Sequence, residues 1–280
     1  MNEEIFSAEQ LAIGPDSAIE QVTVAATEAG PAEAGKVNRK AKQRKPLTWG
    51  IERAFWKRGL FSLVGVDEAG RGPLAGPVVA GAVIFPYDLC QKFPKDLKGL
   101  TDSKQLTEAE REDYFEAIKC HAKAFGVGIV GPQMIDEINI LRATMQAMTI
   151  AVEQVVASLA ESEETPDVLL IDGNYFRTAL PYEYKTVIDG DGKSRLIAAA
   201  SVIAKVTRDH IMKDLHEHYP EYNFKQHKGY ATREHRAALK EHGPSPIHRR
   251  SFLHMESDQT LLMFAEESDI LLQSDETRGS

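Results

Sequence analysis

The sequence predicts an α/β or α+β domain, on three observations: short Val-rich apolar runs alternate with longer helical stretches, the first two such runs are parted only by a turn, and the strand candidates stand before and between the helices. That order excludes a helical bundle. SLVGVDEAG and VVAGAVIF flank the turn-forming GRGPLAGP and read as neighbouring strands. A helix follows from Leu106 to Ala122, because Thr107 ahead of Glu108 and Glu110 is a helix-start signal with acids at the positive end of the dipole. FGVGIV is a third strand. Ile140 to Ala160 is a long helix with apolar residues all round, which implies burial. DVLLIDG and YKTVIDGDG are two further strands ending in acid beside glycine, then come a helix from about Ser194 to His218, a loop through FKQHKGY, and a final helix TREHRAALKEHG.

The chain of 280 residues holds one enzyme-sized domain with tails. Residues 1–58 are assigned to a disordered extension, rich in Ala, Glu, Gly and Pro and carrying the basic run Lys36 to Lys45; 59–255 form the folded domain, with a helical part from about 220; 256–280 are an acidic tail. The formal net charge of −9 argues against a nucleic-acid partner until its distribution is read. Residues 256–280 carry one basic side chain against seven acidic ones, whereas Lys205 to Arg250 is basic, so a positive face on a nearly neutral body is expected. No apolar run approaches the ~18 residues of a membrane helix. MNEEIFSAEQ lacks the marks of a secretory signal, which points to the cytoplasm. Cys90 and Cys120 are in no zinc-type spacing and cannot form a disulfide framework.

Four acids, Asp67, Glu68, Asp172 and Asp191, stand at strand ends or in the turns beyond, each within two positions of a glycine. Each alone is a plausible turn cap. Together, gathered carboxylates repel one another unless a cation neutralises them, and an all-oxygen donor set favours Mg²⁺ or Mn²⁺. Two such ions suit phosphodiester hydrolysis. Adjacent strand residues face opposite ways, so Asp67 and Glu68 share a site only if the strand ends or bulges there. The following GRG can offer backbone N–H groups and the Arg71 guanidinium to a sugar or phosphate; it lacks the Lys-Ser/Thr of a P-loop.

GVDEAGRGPLAGPVVAGAVIF, TDSKQLT, ILRATMQAM, LLIDGN, GDGKSRLIAAASVIAKVTRD and HKGYAT, in this order and spacing, resemble bacterial ribonuclease HII. The resemblance runs from about Leu63 to Phe252 and implies a ribonuclease H-type mixed sheet flanked by helices, with a small helical C-terminal part that helps to hold substrate. It implies an endoribonuclease using two Mg²⁺ or Mn²⁺ ions on Asp67, Glu68, Asp172 and Asp191, acting on RNA/DNA hybrids and on duplex DNA containing single ribonucleotides. Cutting 5′ of the ribonucleotide would leave 3′-hydroxyl and 5′-phosphate ends and serve ribonucleotide removal. Gly70, Arg71 and Gly72 would contact the 2′-hydroxyl, Tyr230 would stack on the following sugar, and Ser103 and Lys104 would meet the phosphate backbone. Lys205, Arg208, Asp209, His227 and His248 are further candidates; a salt bridge from Asp209 to Lys205 or Arg208, and buried or surface histidines, are the preferred readings there. A monomer is expected. In the tail, Gln259 to Phe264 (QTLLMF) faintly resembles sliding-clamp peptides, a segment folded back on the domain being preferred. The competing readings are another two-metal nuclease of the same fold and a non-catalytic hybrid-binding module.

Overall fold

The computed structural model describes residues 47–160 and 162–253. The basic run at 36–45 and the clamp-like peptide at 259–264 therefore lie outside the described residues. Five strands, β1 (Leu63–Ala69), β2 (Val78–Ile84), β3 (Ala124–Val130), β4 (Val168–Asp172) and β5 (Glu183–Val187), form one sheet in the order β3-β2-β1-β4-β5. The first three pair antiparallel, and β4 and β5 join β1 in parallel, so the sheet is mixed. The turn between β1 and β2 makes the predicted hairpin, while the parallel pair needs a crossover on the sheet face.

That crossover is the helix Ile140–Ala160. In chain order the helices are α1 (Gly50–Trp56), α2 (Tyr87–Gln91), α3 (Glu108–His121), α4 (Pro132–Ile138), α5 (Ile140–Ala160), α6 (Arg195–His218), α7 (Phe224–His227) and α8 (Arg233–His242). Helix α3 starts where the acids predict: Thr107 Oγ1 accepts from the Glu110 amide at 3.2 Å, and the Glu110 carboxylate accepts from the Thr107 amide at 2.8 Å. Helix α5 buries one face, including Ala147, Ala151 and Val155, and leaves Leu141 exposed, so its all-round apolarity overstates its burial.

Strand alternation sends Val64, Val66, Leu169 and Ile171 into the core under α5, and Leu63, Val79, Val83 and Leu170 into the core under α6. The glycines inside the strands let these helices lie close. A β-carbon on Gly65 would sit 2.2 Å from the Leu196 carbonyl carbon, and one on Gly128 1.9 Å from the Ala147 oxygen.

Four short helices escaped the sequence reading. Residues 50–56 form α1 with Phe55 and Glu52 buried, which corrects the assignment of everything up to residue 58 to a disordered extension. Its aromatic residues are what bind it: Trp49 packs against Trp56 and Phe93, an apolar gain that composition averaged over 58 residues hides. Helices α2 and α4 are each under two turns, too short to show a period, and FKQHKGY, read as loop, contains α7. Among the described residues no helix is long and apolar enough to cross a membrane.

The C-terminal part closes on the loop between β1 and β2. The Leu74 amide donates to Gly229 O at 2.9 Å, Gly76 N to Ile247 O at 2.9 Å, and Arg249 N to Leu74 O at 2.8 Å.

Candidate active site

Asp67 and Asp172 lie on adjacent parallel strands one step past the paired residues Val66 and Ile171, both with the parity that faces α6. Asp191 arrives from the 3₁₀ turn Gly190–Gly192 that feeds α6. One carboxylate oxygen from each of these three residues lies within 4.8 Å of the others. Asp67 is 4% exposed and Asp191 is also buried. Burial, then the neighbouring Glu68 and Asp172 charges, push the Asp67 carboxyl well above the usual carboxylate range. Burial and Asp102 raise Asp191 as well.

Each acid is held by a donor. Asp67 Oδ1 accepts from the Glu68 amide at 2.7 Å, and its carboxylate also accepts from Ser201 of α6. Ser103 Oγ stands 2.9 Å from Ser201 Oγ, so the Ser103 hydroxyl points inward to this chain. Asp172 Oδ1 accepts from Gly190 N at 2.6 Å. A β-carbon on Gly190 would lie 3.0 Å from that oxygen and 2.6 Å from Ile197 Cδ1, so only glycine brings the turn this near. Lys104 Nζ, on a largely exposed side chain, reaches Asp191 Oδ2 at 3.2 Å. Burial alone lowers the Lys104 ammonium, and the Asp191 carboxylate more than restores it.

Glu68 differs from the sequence expectation. The strand neither ends nor bulges between the two acids: Asp67 pairs with Gly81 and Glu68 with Ala80 in regular register. Glu68 therefore takes the α5-side parity and stands outside the three-acid group. It remains within electrostatic reach, since burial raises its carboxyl, Arg71 opposes the rise and Asp172 adds to it. Its Oε1 accepts from Arg71 Nη1 at 3.1 Å. Three oxygens converging without sulfur or nitrogen donors, their repulsion met by one exposed lysine, match the demands of a hard divalent cation.

The GRG loop is shaped from below. Gly70 has φ +91°, and a β-carbon there would collide with Arg208 Nε at 2.1 Å, so glycine is required twice over. Arg249, 0% exposed, donates to Gly76 O at 3.0 Å, Arg71 O at 2.9 Å and Gly70 O at 2.6 Å. Arg208, 1% exposed, donates to Pro77 O, Lys228 O and Ala75 O. With its carbonyls drawn inward, the loop leaves Arg71 exposed above. Tyr230, 45% exposed, borders it: a β-carbon on Gly72 would lie 4.0 Å from the Tyr230 ring.

The remaining candidates sit away from the carboxylates' face. Asp209 is buried and pairs with Lys205 at 2.6 Å, with Arg111 3.8 Å away. His227 is buried, one ring nitrogen facing Tyr222 O at 2.7 Å and the other accepting from Gly229 N. His235 and His248 bring their Nε2 atoms to 2.9 Å, and His235 Nδ1 reaches Tyr230 O at 2.9 Å, so this histidine group underlies the tyrosine. The sequence reading missed Ser201, Ser194 and Arg249. The two serines are seven residues apart, Ser194 capping and Ser201 within an otherwise Ala- and Ile-rich helical run, a detectable signal; Arg249, in the loop just after the bridge residue His248, carries none.

A model of the family described as ribonuclease HII matches residues 64–255. The chain belongs to the ribonuclease HII family. It is thus a ribonuclease H, a hydrolase of the endonuclease type. A ribonuclease HII from Bacillus cereus (strain ZK / E33L) is 51% identical over 201 residues, 72% of either chain. Among solved structures, ribonuclease H2 from Pyrococcus horikoshii OT3 is 30% identical with TM-score 0.51, covering 68% of this chain and 92% of that one. The ribonuclease HII in the PCNA complex from Archaeoglobus fulgidus is 25% identical with TM-score 0.52, covering 69% and 94%. The mixed five-stranded sheet flanked by helices agrees with these likenesses.

Proposed function

We propose that this chain hydrolyses the RNA strand of RNA/DNA hybrids and cuts 5′ of single ribonucleotides in duplex DNA, leaving 3′-hydroxyl and 5′-phosphate ends, in the service of ribonucleotide removal. The observation that carries the reading is the convergence of Asp67, Asp172 and Asp191, with the loop that follows β1 fixed through its backbone by two buried guanidinium groups. Asp67, Asp172 and Asp191 would hold divalent ions, Mg²⁺ or Mn²⁺, with Glu68 as the fourth carboxylate. When bound, two such ions supply an activated water and neutralise the leaving oxygen.

The protein's own residues do the rest. Ser201 and Gly190 orient the Asp67 and Asp172 carboxylates, and Ser103 supports Asp67 through Ser201. Gly70, Arg71 and Gly72 read the 2′-hydroxyl, the group by which RNA differs from DNA. Tyr230 supplies an exposed ring for the adjacent sugar, and Lys104 a mobile ammonium for a phosphate. The test is a pair of duplexes identical except for one ribonucleotide, incubated with Mg²⁺ or Mn²⁺. A single cut 5′ of the ribonucleotide, with the all-DNA duplex intact, is expected; equal cutting of both duplexes would move the chain to a sugar-indifferent nuclease.

A further inference from the structure

Helix α1 precedes the family match, which starts at residue 64, yet it carries a buried carboxylate with no part in the chemistry above. Glu52 is 0% exposed. Its Oε1 accepts from Ser194 Oγ at 2.7 Å and lies 3.5 Å from the Leu196 amide, while Oε2 is buried without a hydrogen-bond partner. Ser194 caps α6: its Oγ also accepts from Ile197 N at 3.2 Å, which leaves its single hydrogen for Glu52. The Ser194 amide donates to Gly190 O at 2.7 Å, and Gly190 N donates to Asp172 Oδ1 at 2.6 Å. Asp191 is the next residue. Two steps of hydrogen bonding thus join Glu52 to the turn on which one carboxylate sits and against which another rests.

The neighbouring residue makes the same attachment a second time. Arg195 donates from Nε and Nη2 to Leu47 O at 2.9 and 2.6 Å, and its guanidinium faces the Phe93 ring at 4.2 Å and the Trp49 ring at 5.0 Å. Residues 47–56 therefore grip positions 194 and 195 at the entry to α6.

We propose that Glu52 is a positioning residue for the carboxylate pocket: through Ser194 it sets the Gly190–Gly192 turn, and with it the placement of Asp191 beside Asp172 that a divalent ion requires. This rests on the reading of Asp67, Asp172 and Asp191 as the ion-holding groups. Residues that orient metal-ligating side chains typically govern about 10–100-fold of metal affinity.

The experiment is calorimetric titration of Mn²⁺ into the full chain, below its melting temperature, for wild type, Glu52→Ala, Glu52→Gln, Ser194→Ala and Asp191→Asn. Glu52→Ala and Ser194→Ala are expected to weaken Mn²⁺ binding by about tenfold, and Glu52→Gln, whose amide oxygen still accepts from Ser194, to recover most of it. Cleavage by Glu52→Ala should show a raised half-saturating Mn²⁺ concentration with kcat restored at saturation. A lowered melting temperature with wild-type Mn²⁺ affinity would make Glu52 a helix cap only and overturn the proposal, as would Glu52→Gln binding no better than Glu52→Ala. Should Glu52→Ala not fold, Ser194→Ala decides by the same readout. If Asp191→Asn binds Mn²⁺ like wild type, the underlying site reading falls; if it is weakened while Glu52→Ala and Ser194→Ala are not, only the positioning role falls.

Discussion

The carboxylate group and the loop between β1 and β2 are held by opposite electrostatics. On the carboxylate side, Asp67, Asp172 and Asp191 converge with one exposed lysine as counter-charge, and Asp67 is driven toward the protonated form by burial and like charge. On the loop side, Arg208 and Arg249 are buried cations with neutral carbonyl partners, three bonds each, and burial lowers them to about 10 and about 9. The first side carries like charge that its single lysine does not balance. The second is complete as folded. On the function proposed above, a rigid loop to read the sugar and a pocket that becomes competent only when loaded would suit a site that checks its substrate before cutting.

Substitutions on the two sides should therefore fail differently. Asp67→Asn removes one of the charges proposed to hold the ions without changing size, and is expected to lower kcat by on the order of 10³-fold or more, with the fold retained by circular dichroism. Arg249→Ala leaves the Gly70, Arg71 and Gly76 carbonyls unpaired, and should cost about 3 kcal/mol or more in denaturant unfolding, while Mn²⁺ affinity of the folded protein stays within a few-fold. Equal damage to metal binding would erase the distinction between the sides. Arg249→Lys should restore only part of the loss, because an ammonium cannot span three carbonyls.

Tyr230→Ala sharpens the comparison from the substrate side. Loss of a stacking ring is worth about 10–100-fold in cleavage at a single ribonucleotide, with unchanged Mn²⁺ titration. Beneath it, burial and then His235 depress the His248 imidazole to about 4 from the ordinary 6.5. The fold favours neutral His248, so the stability it contributes is complete above pH 6.5 and is lost as pH falls toward 4. Between pH 6.5 and 5 the loss should reach about 2 kcal/mol. Melting curves across that range should flatten in His248→Asn, and an equally steep fall in that variant would remove the histidine from the account.

Much of this was legible in the sequence because it is local. Val-rich runs gave the strands their alternation, and Thr107 with the acids after it marked the start of α3 to within two residues, Leu106 expected against Glu108 found. The acids beside glycines at 172 and 191 were legible for the same reason: a strand end followed by a tight turn has a short-range signature. What was not legible is long-range. Glu52 meets Ser194 across 142 positions and Arg249 meets Gly70 across 179, and no local pattern encodes either contact. Glu68 shows a different limit: the strand runs through both acids in regular register, and Glu68 meets the carboxylate group from the other parity, within electrostatic reach of Asp172. Arg208 stood in a basic stretch that read as a positive face, yet its guanidinium turns inward to carbonyl groups.

Strain from like charge in the carboxylate pocket, relieved by a divalent ion, underlies the proposed function. Melting wild type and Asp67→Asn with and without saturating Mn²⁺ tests it most directly. In chelator Asp67→Asn should melt at or above wild type, and Mn²⁺ should raise wild type past it. A wild type that melts higher in chelator and does not respond to Mn²⁺ would contradict it.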